Sequence, residues 1–221
     1  EYRISGGSLE AGTLEVGLVG AGSFAITDQA ASVTVAEALT LGPNASLDVA
    51  PNAVIHMTGS AFDNRSTDPG ALGDLAYLTL VFEGGAGVED AFEMAGIDKG
   101  AVAEGFEENF ALGCLQIGSA AAEGHVRLVD LFDNASGDEP EVLYVERLMM
   151  TEGSSLALHG LSLYTRDISG VHPSAVVTGG EVILVPEPAT LGLFGLVAMA
   201  LIRRKRLCLP TGHRPATYTR T

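Results

Sequence analysis

Short runs of alternating apolar and polar residues fill the chain from Ser5 to about Phe62. The runs are SLEAGTLEV, GSFAITD, ASVTVAEALTLGP, ASLDVAPNA and VIHMTGSAF. Turn-forming residues separate them at intervals of about 8–12 residues, which is typical of an all-β fold. A β-sandwich fits this spacing. The shortness of the runs and their loosely repeated form favour a β-solenoid, in which each coil buries its apolar face against its neighbours.

The β pattern returns further along the chain. The run LAYLTLVFE, residues Leu75–Glu83, is almost continuously apolar and predicts a strand buried on both faces. Further strands are predicted at Cys114–Gly118 and in the ranges 125–134, 141–150, 154–165 and 181–185.

One segment has a different period. In residues 98–112, Val102, Phe106 and Phe110 recur every four residues, which predicts a short amphipathic helix. Asp98 stands where an N-cap residue would. We therefore expect an all-β fold with one short helical insertion that covers an end or edge of the β structure.

Charge is divided unevenly along the chain. All 28 Asp and Glu residues precede Arg203, together with half of the 12 Lys and Arg residues. Binding to nucleic acid requires a basic face that neutralises phosphates, and the acidic body offers none. The composition therefore argues against a nucleic-acid partner.

The C-terminal region contains three physically different pieces in a fixed order. A stiff Val185-Pro186-Glu187-Pro188 segment is followed by 14 uncharged residues, Ala189–Ile202, and then by four cations. The uncharged run is about 21 Å long as a helix, shorter than the hydrocarbon core of a bilayer at about 30 Å. The adjacent cations favour a membrane segment because they fix its orientation and reach the interface. We expect a single transmembrane helix at 189–202 that is oriented by Arg203, Arg204, Lys205 and Arg206.

This order resembles the PEP-CTERM sorting signal, the C-terminal tag of many exported proteins of Gram-negative bacteria that make exopolysaccharide. The resemblance is carried by Pro186-Glu187-Pro188, the apolar segment and the cluster Arg203–Arg206. It implies recognition and cleavage by an exosortase, a membrane cysteine transpeptidase, near the Pro-Glu-Pro. Such tags normally end soon after the basic cluster, whereas residues 207–221 follow it here.

The body is similar to the β-repeat cargo regions attached to such tails. This looser similarity rests on LTLVFEGG (78–85), FALGCLQIG (110–118), VRLVDLFDN (126–134), LYVERLMM (143–150) and GSSLALHGLSLY (153–164). It implies a right-handed β-solenoid and no particular biochemical activity.

These observations predict three regions. Residues 1–180 form an acidic β-solenoid cargo, residues 181–206 the sorting signal, and residues 207–221 an atypical disordered tail. The chain begins at Glu1 without an initiator Met or an export signal. We therefore expect its N-terminus, with a secretory signal, to be missing from the sequence.

Motifs for catalysis or metal binding are not recognisable. The sequence contains no GxSxG, no HExxH and no phosphate-binding Gly loop with a Lys. We predict that the protein is not an enzyme and uses no cofactor. We also predict no metal centre, with calcium on the acidic loops as the less favoured alternative to solvated turns. Two acidic loops hold the calcium candidates: Asp63, Asn64, Asp68 and Asp74 in the first, and Asp130, Asp133, Asn134, Asp138 and Glu139 in the second. Of these, Asp63, Asp68, Asp133 and Asp138 are the preferred candidates.

The predicted function follows from the tail. We expect an exported protein that is held briefly in the inner membrane by 189–202, with its body on the periplasmic side, and is then sorted to the cell surface or extracellular matrix. Its role there is predicted to be structural. The alternatives are an adhesive module that binds exopolysaccharide and, less favoured, a secreted lyase or hydrolase of polysaccharides.

Overall fold

The structure is a computed structural model and describes residues 1–59, 61–135 and 141–186. Short strands account for most of its regular structure. The strands are β1 (Tyr2–Ile4), β2 (Ser8–Val16), β3 (Gly22–Ile26), β4 (Ser32–Leu41), β5 (Ala45–Val49), β6 (Ala53–Met57), β7 (Ala61–Asn64), β8 (Leu78–Phe82), β9 (Asp90–Glu93), β10 (Leu112–Ile117), β11 (His125–Val129), β12 (Leu143–Met150), β13 (Ser155–Ala157), β14 (Ser162–Val171), β15 (Val176–Thr178) and β16 (Glu181–Leu184). Two 3₁₀ helices, Gly73–Tyr77 and Ala103–Phe106, interrupt them.

The strands form a curled parallel sheet. Strand β4 is long and bends, so that its first half pairs with β6 and its second half with β7. From there the even-numbered strands β6 to β16 form one wall, and the odd-numbered strands β7 to β15 form the other. Strand β2 pairs with β4, and β1, β3 and β5 make a separate parallel sheet. We call one passage of the chain through both walls a coil.

Stacking of the coils places like residues above one another. In the first wall Val33, Ile55, Leu80, Leu115 and Leu148 are successive register partners. All five are almost fully buried. Leu39, Phe62, Phe92 and Leu128 form the matching column in the second wall. The main core therefore lies between the walls, where each coil covers the apolar surface of the next.

The all-β prediction is confirmed, and the parallel pairing does not fit the sandwich alternative, whose sheets are antiparallel. The strand predicted at Leu75–Glu83 begins at Leu78, because its first residues form a 3₁₀ helix. From Leu80 to Phe82 three successive side chains are buried. A near-continuous apolar run thus corresponds to a strand covered on both faces.

The predicted amphipathic helix in residues 98–112 is wrong. One 3₁₀ turn, Ala103–Phe106, is formed there instead. Val102 is exposed, and Phe110 has a φ of 55°, which a right-handed helix does not allow. The Asn109 side chain explains the change, because its amide donates to Gly105 O and exchanges hydrogen bonds with the backbone of Ile97.

Asp98 is not an N-cap. Its carboxylate accepts hydrogen bonds from the Gly100 N–H at 2.7 Å and from the Tyr164 hydroxyl at 2.9 Å. The segment is thus fastened to strand β14 by side-chain hydrogen bonds rather than by a helical face.

Candidate functional site

Three of the preferred calcium candidates, Asp63, Asp68 and Asp133, do not converge on one another. Asp63 pairs with Arg65 at 3.1 Å, and Asp68 accepts hydrogen bonds from the N–H groups of Gly70 and Ala71. Asp133 is exposed, and Asp138 lies outside the described residues. Within the described ranges, none of these residues belongs to a carboxylate group compact enough to hold an ion.

A different set of carboxylates does converge. One oxygen each of Glu93, Asp130 and Glu141 lies within 4.8 Å of the others. We call these three residues the acidic cluster. Glu93 ends β9 and is the register partner of Val129 in β11, so the next residue, Asp130, is brought beside it. Glu93 and Glu141 are 1% and 3% exposed, whereas Asp130 is open to solvent.

Backbone N–H groups hold the two buried carboxylates. Glu93 Oε1 accepts hydrogen bonds from Leu131 N at 2.7 Å and Phe132 N at 2.8 Å. Glu141 Oε1 accepts from Asn134 N at 2.5 Å and Ala135 N at 2.7 Å. The segment 130–135 therefore wraps around both carboxylates and fixes one oxygen of each.

The same segment is clamped to an earlier coil. The Asn134 side-chain amide donates to Asn64 O at 2.9 Å and to Ser66 O at 2.8 Å. The Arg65 guanidinium lies over the Phe132 ring, 4.3 Å from its centroid. The two acidic loops of the sequence are therefore in contact, through Asn134 of the second loop and the backbone of Asn64 and Ser66 in the first.

Three oxygens at this place are buried without a hydrogen-bond partner among the described residues: Glu93 Oε2, Glu141 Oε2 and Asn134 Oδ1. In the described chain, no Lys or Arg nitrogen forms an ion pair with the acidic cluster. Burial raises the pKa of both Glu93 and Glu141 to about 7, and the Asp130 carboxylate adds to the effect.

The described end of the chain is a second site of interest. Strand β16 pairs in parallel with β14, and the Val185 N–H donates to Thr165 O at 2.8 Å. Val185 is 1% exposed, whereas Pro186 is exposed. Residues 1–185 form one compact unit, which therefore ends immediately before the Pro-Glu-Pro.

A small aromatic core encloses Val185. It contains Phe106, Tyr144 and Tyr164, with Ala111 and Val142 beside them. The Tyr144 hydroxyl donates to Gly100 O at 2.9 Å and accepts from Lys99 N at 3.0 Å. Burial and the hydrogen bond to Asp98 raise the pKa of Tyr164 to about 12, so this hydroxyl stays protonated as a donor.

In a comparison with known protein families, residues 184–206 match the PEP-CTERM protein-sorting motif. The chain carries a PEP-CTERM sorting motif. This match supports an exported protein that is directed towards the cell surface and processed by an exosortase. No curated protein and no solved structure matches the chain.

The PEP-CTERM motif overlaps the folded body, because Leu184 is the last residue of β16 and Val185 is buried. The other residues predicted for sorting, Glu187, Pro188 and Arg203–Arg206, lie outside the described ranges, as does the expected membrane helix at 189–202. Within the described ranges, no helix has the length and apolar character needed to span a bilayer.

Sequence reasoning missed Glu93 and Glu141 in the body of this PEP-CTERM chain. Glu93 stands between Phe92 and Met94, all three buried at the end of β9. An acidic residue inside an apolar run was the available signal, since a buried charge requires a partner. Its partners come from a segment almost 40 residues later, as the bond from Phe132 shows.

Proposed function

We propose that this chain is an exported cell-surface or extracellular-matrix protein with a structural, non-enzymatic role. Its body, a right-handed β-solenoid in this proposal, is cargo for an exosortase that acts at the Pro-Glu-Pro. The match of residues 184–206 to the PEP-CTERM motif supports the export and sorting part of the proposal. The parallel stacking of coils supports the solenoid, and the right-handed preference of parallel crossover connections supports its handedness.

The boundary at Val185 is consistent with processing at this place. A folded β body resists proteases because its backbone is paired, whereas Pro186 and Pro188 cannot donate backbone hydrogen bonds and favour an extended chain. The peptide bonds after Val185 therefore begin immediately after the last buried residue of the body. In our proposal residues 189–202 hold the chain briefly in the inner membrane, and the cations 203–206 orient it.

The position of the acidic cluster supports a role without catalysis. Glu93 and Glu141 both have a raised pKa, but both side chains are almost fully buried. A glycosidase needs its two carboxylates on either side of a bound sugar. A polysaccharide cannot reach these two residues without opening of the segment 130–135.

The sorting proposal is tested by the double variant Pro186→Ala/Pro188→Ala in a host that contains an exosortase. We expect the variant to keep its full length and stay in the membrane fraction, whereas the parent chain is shortened and released. Pro43→Ala is the matched control, because Pro43 is an exposed proline of the body. Unchanged processing and release of the double variant would refute the proposal.

A cleft next to the acidic cluster favours glycan binding as the second candidate function. The cleft has a volume of about 230 Å³ and is lined by Ile97, Asn109, Phe110 and Asn134, among others. Small-molecule sites in proteins are typically concave and mostly apolar, with a small number of polar groups. Ile97→Glu should abolish retention on exopolysaccharide from the host while leaving processing unchanged, since Ile97 is exposed. Equal retention of the variant would exclude this cleft.

A further inference from the structure

The acidic cluster and Asn134 together have the composition of a cation site. We propose that Glu93, Asp130, Glu141 and Asn134 bind one Ca²⁺ ion. Asp130 and Asn134 belong to the second acidic loop predicted from the sequence, whereas Glu93 and Glu141 were not among its candidates. The inference does not depend on how the chain is sorted. It rests on the convergence of oxygen atoms, their burial and the way in which the backbone orients them.

The buried oxygens give the first argument. Glu93 Oε2, Glu141 Oε2 and Asn134 Oδ1 have no hydrogen-bond partner among the described residues, and their side chains are at most 5% exposed. A buried polar atom without a partner is strongly unfavourable, and native proteins satisfy almost all of them. Three such acceptors on neighbouring residues, with no Lys or Arg ion-paired to them in the described chain, are the groups that a positively charged ligand would satisfy.

The backbone donors give the second argument. Each buried carboxylate has its Oε1 fixed by two N–H groups of the segment 130–135. Four N–H groups directed at two carboxyl oxygens stabilise the ionised form. They also leave Oε2 of each carboxylate available to a ligand. Asp130 is tied to the same arrangement, because the Glu141 N–H donates to Asp130 Oδ2 at 3.4 Å.

The donor chemistry selects the ion. The proposed ligands are three carboxylates and one amide oxygen, without nitrogen or sulfur, which disfavours zinc. Calcium accepts six to eight oxygens in flexible geometry, whereas magnesium requires a near-ideal octahedron. Asp130 is exposed, so solvent reaches this side and water completes the coordination shell. Calcium therefore fits this irregular set better than magnesium.

The ion would join several coils. Glu93 ends β9, Asp130 follows β11, and Glu141 precedes β12. Asn134 is bound to Asn64 and Ser66 near the end of β7. One Ca²⁺ ion would thus link the end of β9 to the connection between β11 and β12, and the Asn134 hydrogen bonds would extend that link to the residues after β7.

The competing explanation is that protons satisfy these oxygens. If Glu93 and Glu141 are neutral acids, they can share hydrogen bonds with each other and with Asn134 without an ion. The two explanations differ at pH 8, where the carboxylates are ionised and calcium binding is strongest.

The test uses the 221-residue chain, kept in a mild detergent and freed of divalent ions with EDTA that is then removed. At pH 8, CaCl₂ at about 10 mM should raise the Tm by about 3–10 °C, given the affinities of extracellular calcium sites. Isothermal titration calorimetry with CaCl₂ should show one site per chain. MgCl₂ at the same concentration should raise the Tm by less than half as much.

Two variants identify the ligands. Asp130→Asn should weaken calcium binding at least about tenfold, because one ligand charge is lost. Glu141→Gln should abolish the calcium response, yet without calcium it should be at least as stable as the parent at pH 8, since a buried charge is removed. Asp133→Asn, in the same loop, is the matched control and should respond like the parent.

The results can overturn the proposal in three ways. If the parent shows neither heat nor a shift in Tm, protons satisfy the oxygens and the site does not exist. If Glu141→Gln responds to calcium as fully as the parent, the ion binds elsewhere. If magnesium stabilises the chain as much as calcium, the identity of the ion is wrong.

Discussion

Tyr144 and Tyr164 stack with their ring centroids 4.7 Å apart and their planes at 13° to each other. They are register partners in adjacent strands of the first wall, so coil stacking itself brings the rings together. Phe106 packs edge-on against Tyr144 at 5.2 Å, and Val185 lies in the same small core. The aromatic stack therefore holds the last residue before the Pro-Glu-Pro.

Substitution of Gly105 by a larger residue is predicted to destabilise the fold. A Cβ atom at this position would overlap the Tyr144 ring, which is itself held by two hydrogen bonds through its hydroxyl. Gly105→Ala should lower the free energy of unfolding by about 1–3 kcal/mol. Urea denaturation measures this change. Gly73→Ala is the control, because a Cβ there meets open space, and an equal loss in both variants would contradict the explanation.

Val185 is predicted to anchor the end of the sheet. Val185→Ala should cost about 1–3 kcal/mol, because it removes buried apolar surface. The loss should appear as faster hydrogen exchange of the β16 amides. Leu184→Ala should have little effect, since Leu184 is 53% exposed. If both substitutions increase exchange equally, Val185 has no special anchoring role.

The stability of the calcium-free chain is predicted to fall as the pH rises. Burial raises the pKa of Glu93 and Glu141 from an ordinary value of 4.5 to about 7. The folded chain therefore binds more protons than the unfolded chain between these values, so the free energy of unfolding decreases from about pH 5 to about pH 8. The charged groups nearby do not offset this, because Asp130 and Asp63 are acidic and Arg65 pairs with Asp63.

Urea denaturation in EDTA at pH 5 and pH 8 measures the effect. The double variant Glu93→Gln/Glu141→Gln should lose most of the pH dependence, whereas Glu152→Gln, at an exposed position, should retain it. If the free energy of unfolding of the parent is greater at pH 8 than at pH 5, the prediction is wrong, and Glu93 and Glu141 do not determine the pH dependence of stability.

Cys114 is predicted to react slowly with thiol reagents. It lies buried in β10, and burial raises the pKa of its thiol, so little reactive thiolate forms at neutral pH. In a Cys208→Ser background, reaction with DTNB should be at least about 100-fold slower in the folded chain than in urea. A rapid reaction of the folded chain would show that β10 opens readily.

The strands were predictable because their signal is local. SLEAGTLEV was identified from alternation alone and corresponds to β2, Ser8–Val16. The parallel pairing follows from stacking of similar coils, which the short repeats indicated. The helix predicted at 98–112 from the spacing of Val102, Phe106 and Phe110 is wrong. The Asn109 side chain donates hydrogen bonds to the backbone of Ile97 and Gly105 and so holds the segment in a non-helical form, and apolar periodicity does not detect such bonds.

The acidic cluster was not predictable in this way. Its members are separated by up to 48 positions in the sequence. Their contact depends on the lengths and paths of the loops that connect successive coils. The acidic loops drew attention to Asp133 because of composition, whereas the fold buries Glu141 at the end of that loop and leaves Asp133 in solvent. Composition identified the region, but burial decided which carboxylates converge.

The attachment of the chain at β16 also determines how the body responds to a mechanical load. A pull on the residues after Val185 acts first on the bond from Val185 N–H to Thr165 O and then on the β16–β14 ladder. The hydrogen bonds between β16 and β14 would therefore break one after another, beginning at the end of β16. Because each coil is held mainly by its neighbours, the body would yield coil by coil from this end.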